Sequence, residues 1–294
     1  METRATHMTA MASSTARLTA NGLLSGGCHR LALTIDEPFA APAPGQFCML
    51  SLDDPGFPLL PRPFSVLGCS DDGGQLVIEF MIMPVGRGSG LLCSLPLGAQ
   101  LQVVGPMGHA LDDADGACSS EPGLAPLGTG PVVCVAGGYG VAPFLFLAES
   151  WAQAHDPRHK NLTVIFGART AERLTLSDRL EASGVRVELC TEDGSTGFAG
   201  RVDGRLAELI ETQRPAVVLS CGPEPMMEAV GAVSRAAGIT SVASLETVMG
   251  CGYAVCNGCA VAVDSDSEAD GYTYELACRE GTLFDTTLLH WNRL

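Results

Sequence analysis

Apolar and polar positions along this chain fall into two rhythms. Between residues 16 and 108, short apolar or alternating runs ("RLALTI", "GQFCMLSL", "FSVLGCS", "QLVIEFMI", "AQLQVVGP") are broken repeatedly by Gly and Pro. That pattern predicts short strands in an antiparallel barrel or sandwich. From Pro131 the grammar changes: β-branched runs ("PVVCVAGG", "LTVIFGAR", "VRVELCTED", "AVVLSCGP") alternate with helical patterns ("PFLFLAESWAQAH", "GRLAELIETQ", "PMMEAVGAVSRAAG"). Strand–helix repetition predicts a parallel sheet covered on both faces, here over 131–240. Residues 241–294 break this rhythm and crowd three cysteines into "MGCGYAVCNGCAVAV". The Ala/Thr/Ser-rich residues 1–15 read as a disordered tail. The Asp/Ser/Gly/Pro-rich segment 109–130 reads as a linker or inserted surface loop.

Composition narrows the function. The 294 residues suffice for two or three domains, and a formal net charge of −16 with a single lysine, Lys160, argues against nucleic acid as a partner. No apolar run reaches the 18 or so residues that a membrane span needs. Of the 12 cysteines, Cys48, Cys69, Cys134 and Cys190 stand alone in apolar runs. They read as reduced, buried small hydrophobes of a protein in a reducing, cytoplasmic compartment.

Four motifs carry chemistry. In "GGYGVAP", Gly137, Gly138 and Gly140 permit a tight strand-to-helix turn, and Ala142 and Pro143 open the helix. Backbone N–H groups at such a helix start form a phosphate site. "CGPEPMM", with Cys221, Gly222 and Pro223, repeats that arrangement at a later strand end, where ligands of parallel sheets bind; together they suggest a nicotinamide nucleotide. Arg169, in "FGART", stands where a carboxylate would accept from a ribose hydroxyl; a 2′-phosphate contact and a solvated loop residue are both open. In "PRPFSV", Arg62 and Ser65 suit a pyrophosphate and a flavin ring, and "PVGRGSG" offers a second Gly-rich turn with Gly88 and Ser89. Finally, Cys251, Cys256, Cys259 and Cys278 are spaced C-x4-C-x2-C-x18-C, the plant-type [2Fe–2S] arrangement, whereas zinc sites favour paired C-x2-C units. His109 and His290 stand apart from any nucleophile, and the acidic "TEDGSTG" reads as a loop near bound nucleotide, so hydrolysis is poorly supported.

In this order, R-P-x-S, G-S, G-G-x-G-x-A-P, "TEDGSTG", C-G-P and C-x4-C-x2-C…C followed by "REGTLFD", the chain resembles the electron-transfer subunits of class 1B dihydroorotate dehydrogenase, within the ferredoxin reductase superfamily. The resemblance runs from about residue 16 to the C-terminus. It implies a multidomain β plus α/β fold: a Greek-key FAD-binding β-barrel, a parallel-sheet NAD-binding domain and a small C-terminal [2Fe–2S] domain. It implies that Arg62, Pro63, Phe64, Ser65, Met81, Ile82, Met83, Gly88 and Ser89 touch FAD, and that Cys221 lies near the nicotinamide. No catalytic acid or base is implied. The implied partner is an FMN-containing catalytic subunit in a heterotetramer of two plus two. Electrons from dihydroorotate would pass through the cluster and FAD to NAD+, in pyrimidine (UMP) biosynthesis. Related subunits of NADH-dependent ferredoxin:NADP+ oxidoreductases and sulfhydrogenases share the domain order, and a non-redox zinc module is a further alternative. The chain departs from the pattern in the long gap before Cys278, in the 109–130 segment, and in "MPV", which puts no arginine at residue 83.

Overall fold

The computed structural model describes residues 12–36, 38–53, 58, 60–112, 127–266, 268 and 270–294. Strands β1 (Ala12–Leu23), β2 (His29–Ile35), β3 (Phe47–Ser51), β4 (Arg62–Asp72), β5 (Gln75–Ile82) and β6 (Gln100–Met107) close into a barrel of order β1-β2-β5-β4-β3-β6. Every neighbouring pair is antiparallel. Alternation drives this: Leu31, Leu33, Ile78, Phe80, Leu101 and Val103 turn inward into one apolar core. The β4–β5 hairpin closes Asp72 against Gln75 through Gly73 and Gly74, whose φ of +63° and +87° suit the two-residue turn that matches strand twist. Helix α1 (Arg87–Cys93) bridges β5 and β6.

The second body is a seven-stranded sheet with α2 (Ala142–Gln153), α3 (Ser177–Ala182), α4 (Val202–Thr212) and α5 (Glu224–Ala236) between its strands. Strands β7 (Val132–Gly137), β8 (Leu162–Ala168), β9 (Arg186–Thr191), β10 (Phe198–Ala199), β11 (Val217–Cys221) and β12 (Thr240–Ser244) run parallel in the order β10-β9-β8-β7-β11-β12. Val132 to Ala136 and Val217 to Cys221 are all buried, as central strands covered on both faces must be. The C-terminal part holds the hairpin β13 (Ala260–Asp264) with β14 (Tyr272–Leu276), the short α6 (Ala277–Glu280) and β15 (Leu283–Asp285).

Two boundaries differ from the sequence reading. Residues 12–15, assigned there to a tail, begin β1, because Ala12 to Thr15 pair with Gly105 to Gln102 of β6 and close the barrel. Residues 241–244 belong to the parallel sheet, since β12 follows β11 in register, and β15 adds antiparallel to the same edge. The cysteine segment is thus tied at both ends to the nucleotide-binding sheet. The expected loop at 109–130 lies in large part, over 113–126, outside the described residues, but its flanks are pinned together: Arg158 binds Asp112 at 2.5 and 2.7 Å and the Leu127 carbonyl at 3.1 Å. Among the described residues no helix is long and apolar enough to cross a membrane.

An ionic chain joins barrel to sheet. Glu79 of β5 accepts from Arg30 of β2 and, at 2.8 Å, from Arg179 of α3, which also grips Glu149 of α2 at 2.6 and 2.7 Å. Burial alone would raise the Glu79 carboxyl, but the two guanidinium groups outweigh it and hold it below the ordinary range. A lowered carboxyl stabilises the fold above the unfolded-state range, near pH 4, and loses that contribution as pH falls through the folded value. Arg179→Ala is therefore expected to cost about 2 kcal/mol at neutral pH and to lessen the acid-side loss of stability, read as thermal midpoints against pH. A midpoint unchanged at pH 7 would show that the domains are held without this chain.

Candidate redox centre and dinucleotide cleft

The four cysteines of the C-x4-C-x2-C…C pattern come together. Cys251, Cys256 and Cys259 lie on the loop between β12 and β13, and Cys278 sits in α6. They form two pairs: the Cys251 and Cys256 side chains meet, and Cys259 Sγ lies 3.1 Å from Cys278 Sγ. The loop can do this because Gly252, Ala254 and Asn257 adopt φ of +77°, +57° and +55°, which turns successive N–H groups inward. Tyr253 N–H donates to Cys251 Sγ at 3.2 Å, Ala254 N–H to Cys278 Sγ at 3.2 Å, and Gly258 N–H to Cys256 Sγ at 3.4 Å. Gly250 and Gly258 flank Cys256 Sγ: a Cβ at either would stand in ordinary contact with it, at 3.4 and 3.5 Å.

Electrostatics suits thiolate ligands. Burial would raise the Cys251 thiol, but donation from the backbone of Cys256, Tyr253 and Val255 outweighs it and brings it to about 7. Burial, with the Cys259 thiol beside it, pushes Cys278 up to about 12. Two buried sulfurs in contact cannot both ionise without cations between them. Two pairs of thiols with inward N–H donors fit a two-iron cluster, with two sulfurs for each iron.

The loop is seated on the barrel. Gly252 lies so close to Met49 of β3 and Met107 of β6 that a Cβ there would stand 2.9 and 3.2 Å from their side chains, and Leu60 packs beside Gly250. Met49 pairs in register with Pro63, so the cysteine loop adjoins the strand start that carries Arg62, Pro63, Phe64 and Ser65, all half-buried. Arg62 donates to the carbonyls of Leu60 and Pro61, at 2.8 and 3.2 Å. Met81 is buried at the end of β5 and Met83 faces the Gly27 turn, whereas Ile82 turns into the barrel core and offers a ligand only its backbone. Gly88 and Ser89 lie in the first turn of α1, where N–H groups have no intrahelical partner. The Ser89 hydroxyl is already engaged with Gly86, accepting from its N–H at 3.1 Å.

A cleft of about 810 Å³ opens at the carboxyl ends of the parallel strands, with Gly26 of the barrel's β1–β2 turn also on its wall. Gly137, Gly138 and Gly140 line one wall, and Gly222 and Pro223 face them. Gly140 is also a packing requirement, because a Cβ there would collide with the Cys221 carbonyl. Ala142 and Pro143 are buried in the first turn of α2 and set its direction without lining the cleft. Cys221 is buried too: its carbonyl abuts the cleft wall, while its thiol, pushed far up by burial and by nearby Glu246, lies beside the Ser244 hydroxyl.

Arg169 and, from "TEDGSTG", Glu192 line the cleft, along with residues the sequence reading passed over: Arg173, Arg201, Glu224 and Glu246. Glu246 could have been found by extending to β12 the rule that ligands meet the carboxyl ends of parallel strands. Arg173 and Arg201 carried no local signal. Of the two histidines singled out, the His109 ring packs on Gly281, and His290 pairs with Asp264 at 2.8 Å and stacks on Tyr272.

A nucleotide cleft, a closed barrel and a four-thiol loop seated on that barrel define an iron–sulfur oxidoreductase of the ferredoxin reductase fold. Residues 134–232 match the oxidoreductase NAD-binding domain, and residues 246–290 match the iron–sulfur cluster binding domain of dihydroorotate dehydrogenase B. A relative from Caldanaerobacter subterraneus, the electron transfer subunit of dihydroorotate dehydrogenase B (NAD(+)), is 31% identical over 86% of this chain and 89% of its own. Its counterpart from Geobacillus thermodenitrificans is 33% identical over 82% and 84%. Among solved structures, that of an NADH-dependent reduced ferredoxin–NADP oxidoreductase superposes with a TM-score of 0.73 at 22% identity, over 94% of this chain and 90% of that one.

The chain belongs to the family of electron-transfer subunits of NAD+-dependent dihydroorotate dehydrogenase B. It is an oxidoreductase subunit whose redox groups are FAD, a [2Fe–2S] cluster and NAD.

Proposed function

We propose that this chain takes electrons from an FMN-containing catalytic subunit that oxidises dihydroorotate to orotate, and delivers them to NAD+, in a cytoplasmic heterotetramer of two catalytic and two electron-transfer subunits. The observation that carries this reading is the seating of the thiol loop on Met49 and Met107, one register pair from the β4 strand start, in a chain that also carries a cleft at the carboxyl ends of its parallel strands. When bound, the cluster and the flavin together convert single electrons into a hydride for NAD+. Cys251, Cys256, Cys259 and Cys278 would hold the cluster. Arg62 to Ser65, Met81, Met83, the Ile82 backbone and the N–H groups of Gly88 and Ser89 would hold the flavin. Gly137 to Gly140 with Gly222 and Pro223 would seat the nicotinamide dinucleotide, with the ring near Cys221. The balance is dihydroorotate plus NAD+ giving orotate, NADH and a proton, so this chain needs to position groups and exclude water without an acid–base pair of its own.

Electrons enter where the cysteine loop meets solvent. Cys256 is exposed, and around it Val248 and Val255 stand 84% and 79% exposed, with Leu60 and Tyr253 half open. An apolar rim around an exposed ligand suits a partner's docking face. Val255→Asp should weaken partner binding at least about tenfold, as an unpaired charge in an apolar contact does, while iron and flavin content stay at wild-type levels; unchanged affinity would place the partner elsewhere. The function itself is tested by mixing the loaded chain with an FMN dihydroorotate subunit. Copurification and orotate-coupled NADH formation are expected. Neither occurring, or turnover with ferredoxin alone, would sink the reading.

A further inference from the structure

Hydride passes to a flavin only across a direct contact, so a nicotinamide ring must lie where the cleft reaches the barrel. Among the described residues Gly26 alone brings the barrel to the cleft wall, from the turn between β1 and β2. That turn is clamped to the parallel-sheet body. The Thr175 hydroxyl donates to the Ser25 carbonyl at 3.0 Å, and a Cβ on Gly26 would stand 3.2 Å from the same threonine oxygen. Toward the barrel, a Cβ on Gly27 would stand 4.0 Å from Met83 Cε, one of the side chains assigned to the flavin, and Cys28 is fully buried behind it.

Tyr139 stands at this junction. Among the described residues it is the one aromatic side chain on the cleft wall. Its hydroxyl lies beside the Cys28 sulfur, as does that of Thr175, while 37% of the residue stays exposed. Gly138 and Gly140 on either side carry no side chains to cover it, and Gly222 on the facing wall leaves room for a flat group. A phenol anchored on the barrel by its hydroxyl end and open to the cleft offers a fixed π surface.

We propose that Tyr139 is the platform for the nicotinamide: with the cleft read as the dinucleotide site, the pyridine ring of NAD+ or NADH stacks on the tyrosine ring and is held at the barrel end of the cleft. One turn then divides the ligand between neighbouring positions. Backbone N–H groups at the start of α2 take the pyrophosphate, and the side chain of Tyr139 takes the ring. Gly26, Ser25 and Thr175 fix the distance between that platform and the barrel.

The test compares NAD+ with ADP-ribose, which keeps the pyrophosphate and adenosine but lacks the nicotinamide ring, by calorimetry on the flavin- and cluster-loaded chain. Tyr139→Ala should weaken NAD+ about tenfold, as loss of one stacked ring does, and leave ADP-ribose unchanged. Tyr139→Phe keeps the π surface and should keep most of the affinity. Tyr139→Leu keeps the bulk without that surface and should behave like the alanine variant. At saturating NADH, flavin bleaching should slow in Y139A and Y139L and be largely restored in Y139F. Equal weakening of NAD+ and ADP-ribose in Y139A, or wild-type binding of NAD+ by Y139L, would make the tyrosine a prop between barrel and sheet and overturn the proposal, leaving the cleft a dinucleotide site. Faster bleaching in Y139A would make it an obstacle to the ring, which overturns the proposal equally. A wild-type chain that binds neither ligand overturns the reading of the cleft as well.

Discussion

Cys259→Ser will yield a protein that keeps its flavin but loses its iron, and orotate-coupled reduction of NAD+ will fall by at least a thousandfold, roughly the loss expected when a link in an obligatory electron path is removed. Cys259 is 2% exposed, and its sulfur lies 3.1 Å from that of Cys278. A serine oxygen there is smaller, harder and far less readily ionised, so it makes a poor partner for iron. The barrel does not depend on the sulfur: its core of Leu31, Leu33, Ile78 and Phe80 lies elsewhere. NADH oxidation by an artificial two-electron acceptor should therefore persist near wild-type rates, because that route needs only the cleft and the flavin. The two activities must separate. If iron remains, or if both activities vanish together with the flavin, the cysteine loop has been misread as the point of electron entry.

The sequence revealed this loop well and the cleft poorly, for physical reasons. Thiolate ligands must be cysteines, and a loop that wraps a cluster fixes their spacing, so C-x4-C-x2-C survives as a readable string. The pairing of Cys259 with Cys278 spans a hairpin, yet the string still pointed to it because cysteine has few substitutes. A dinucleotide cleft is built differently. Backbone N–H groups and shape do most of the work, and Arg173, Arg201 and Glu246 reach it from three separate segments. Nothing near Arg173 or Arg201 in sequence announces convergence, and Glu246 is legible only as a residue just past a parallel strand's carboxyl end.

The same contrast holds for the fold. Alternation in "QLVIEFMI" and the unbroken "PVVCVA" gave the barrel and the parallel sheet because burial on one face or two leaves different periods. Strand ends were harder. Ala12 to Thr15 carry weak hydrophobicity and enter β1 only because β6 offers unpaired backbone groups to close the barrel. β12 and β15 share an edge across a long stretch of chain, so the boundary drawn at residue 240 divided a strand that tertiary pairing holds whole. Ile82 shows the limit for side chains: resemblance put it beside the flavin, whereas the pleat turns it into the core.

The glycine turn supplies the second large effect. Gly137, Gly138 and Gly140 look alike in the sequence, but what an added methyl group meets differs at each. At Gly140 it collides with the Cys221 carbonyl and stands 2.8 Å from the Gly222 nitrogen, both backbone, so β7 and β11 must part or the turn must rebuild. At Gly137 it meets the Met226 sulfur at 2.5 Å and the Pro223 ring at 2.9 Å, of which the methionine can swing aside. At Gly138 nothing lies within 4 Å, and the cost is only that of a left-handed φ of +54°, about 1 kcal/mol. Gly140→Ala should therefore cost about 3 kcal/mol, the upper end for overpacking, and raise the dissociation constant of NADH at least about tenfold, because the displaced N–H groups are those aimed at phosphate. Iron content should not change, since the cysteine loop rests on Met49 and Met107 instead. The order of loss, Gly140 above Gly137 above Gly138, is the discriminating result. Equal losses at all three would mean that backbone freedom alone governs this turn, and a harmless Gly140→Ala would mean that the contact between Gly140 and Cys221 does not shape the cleft.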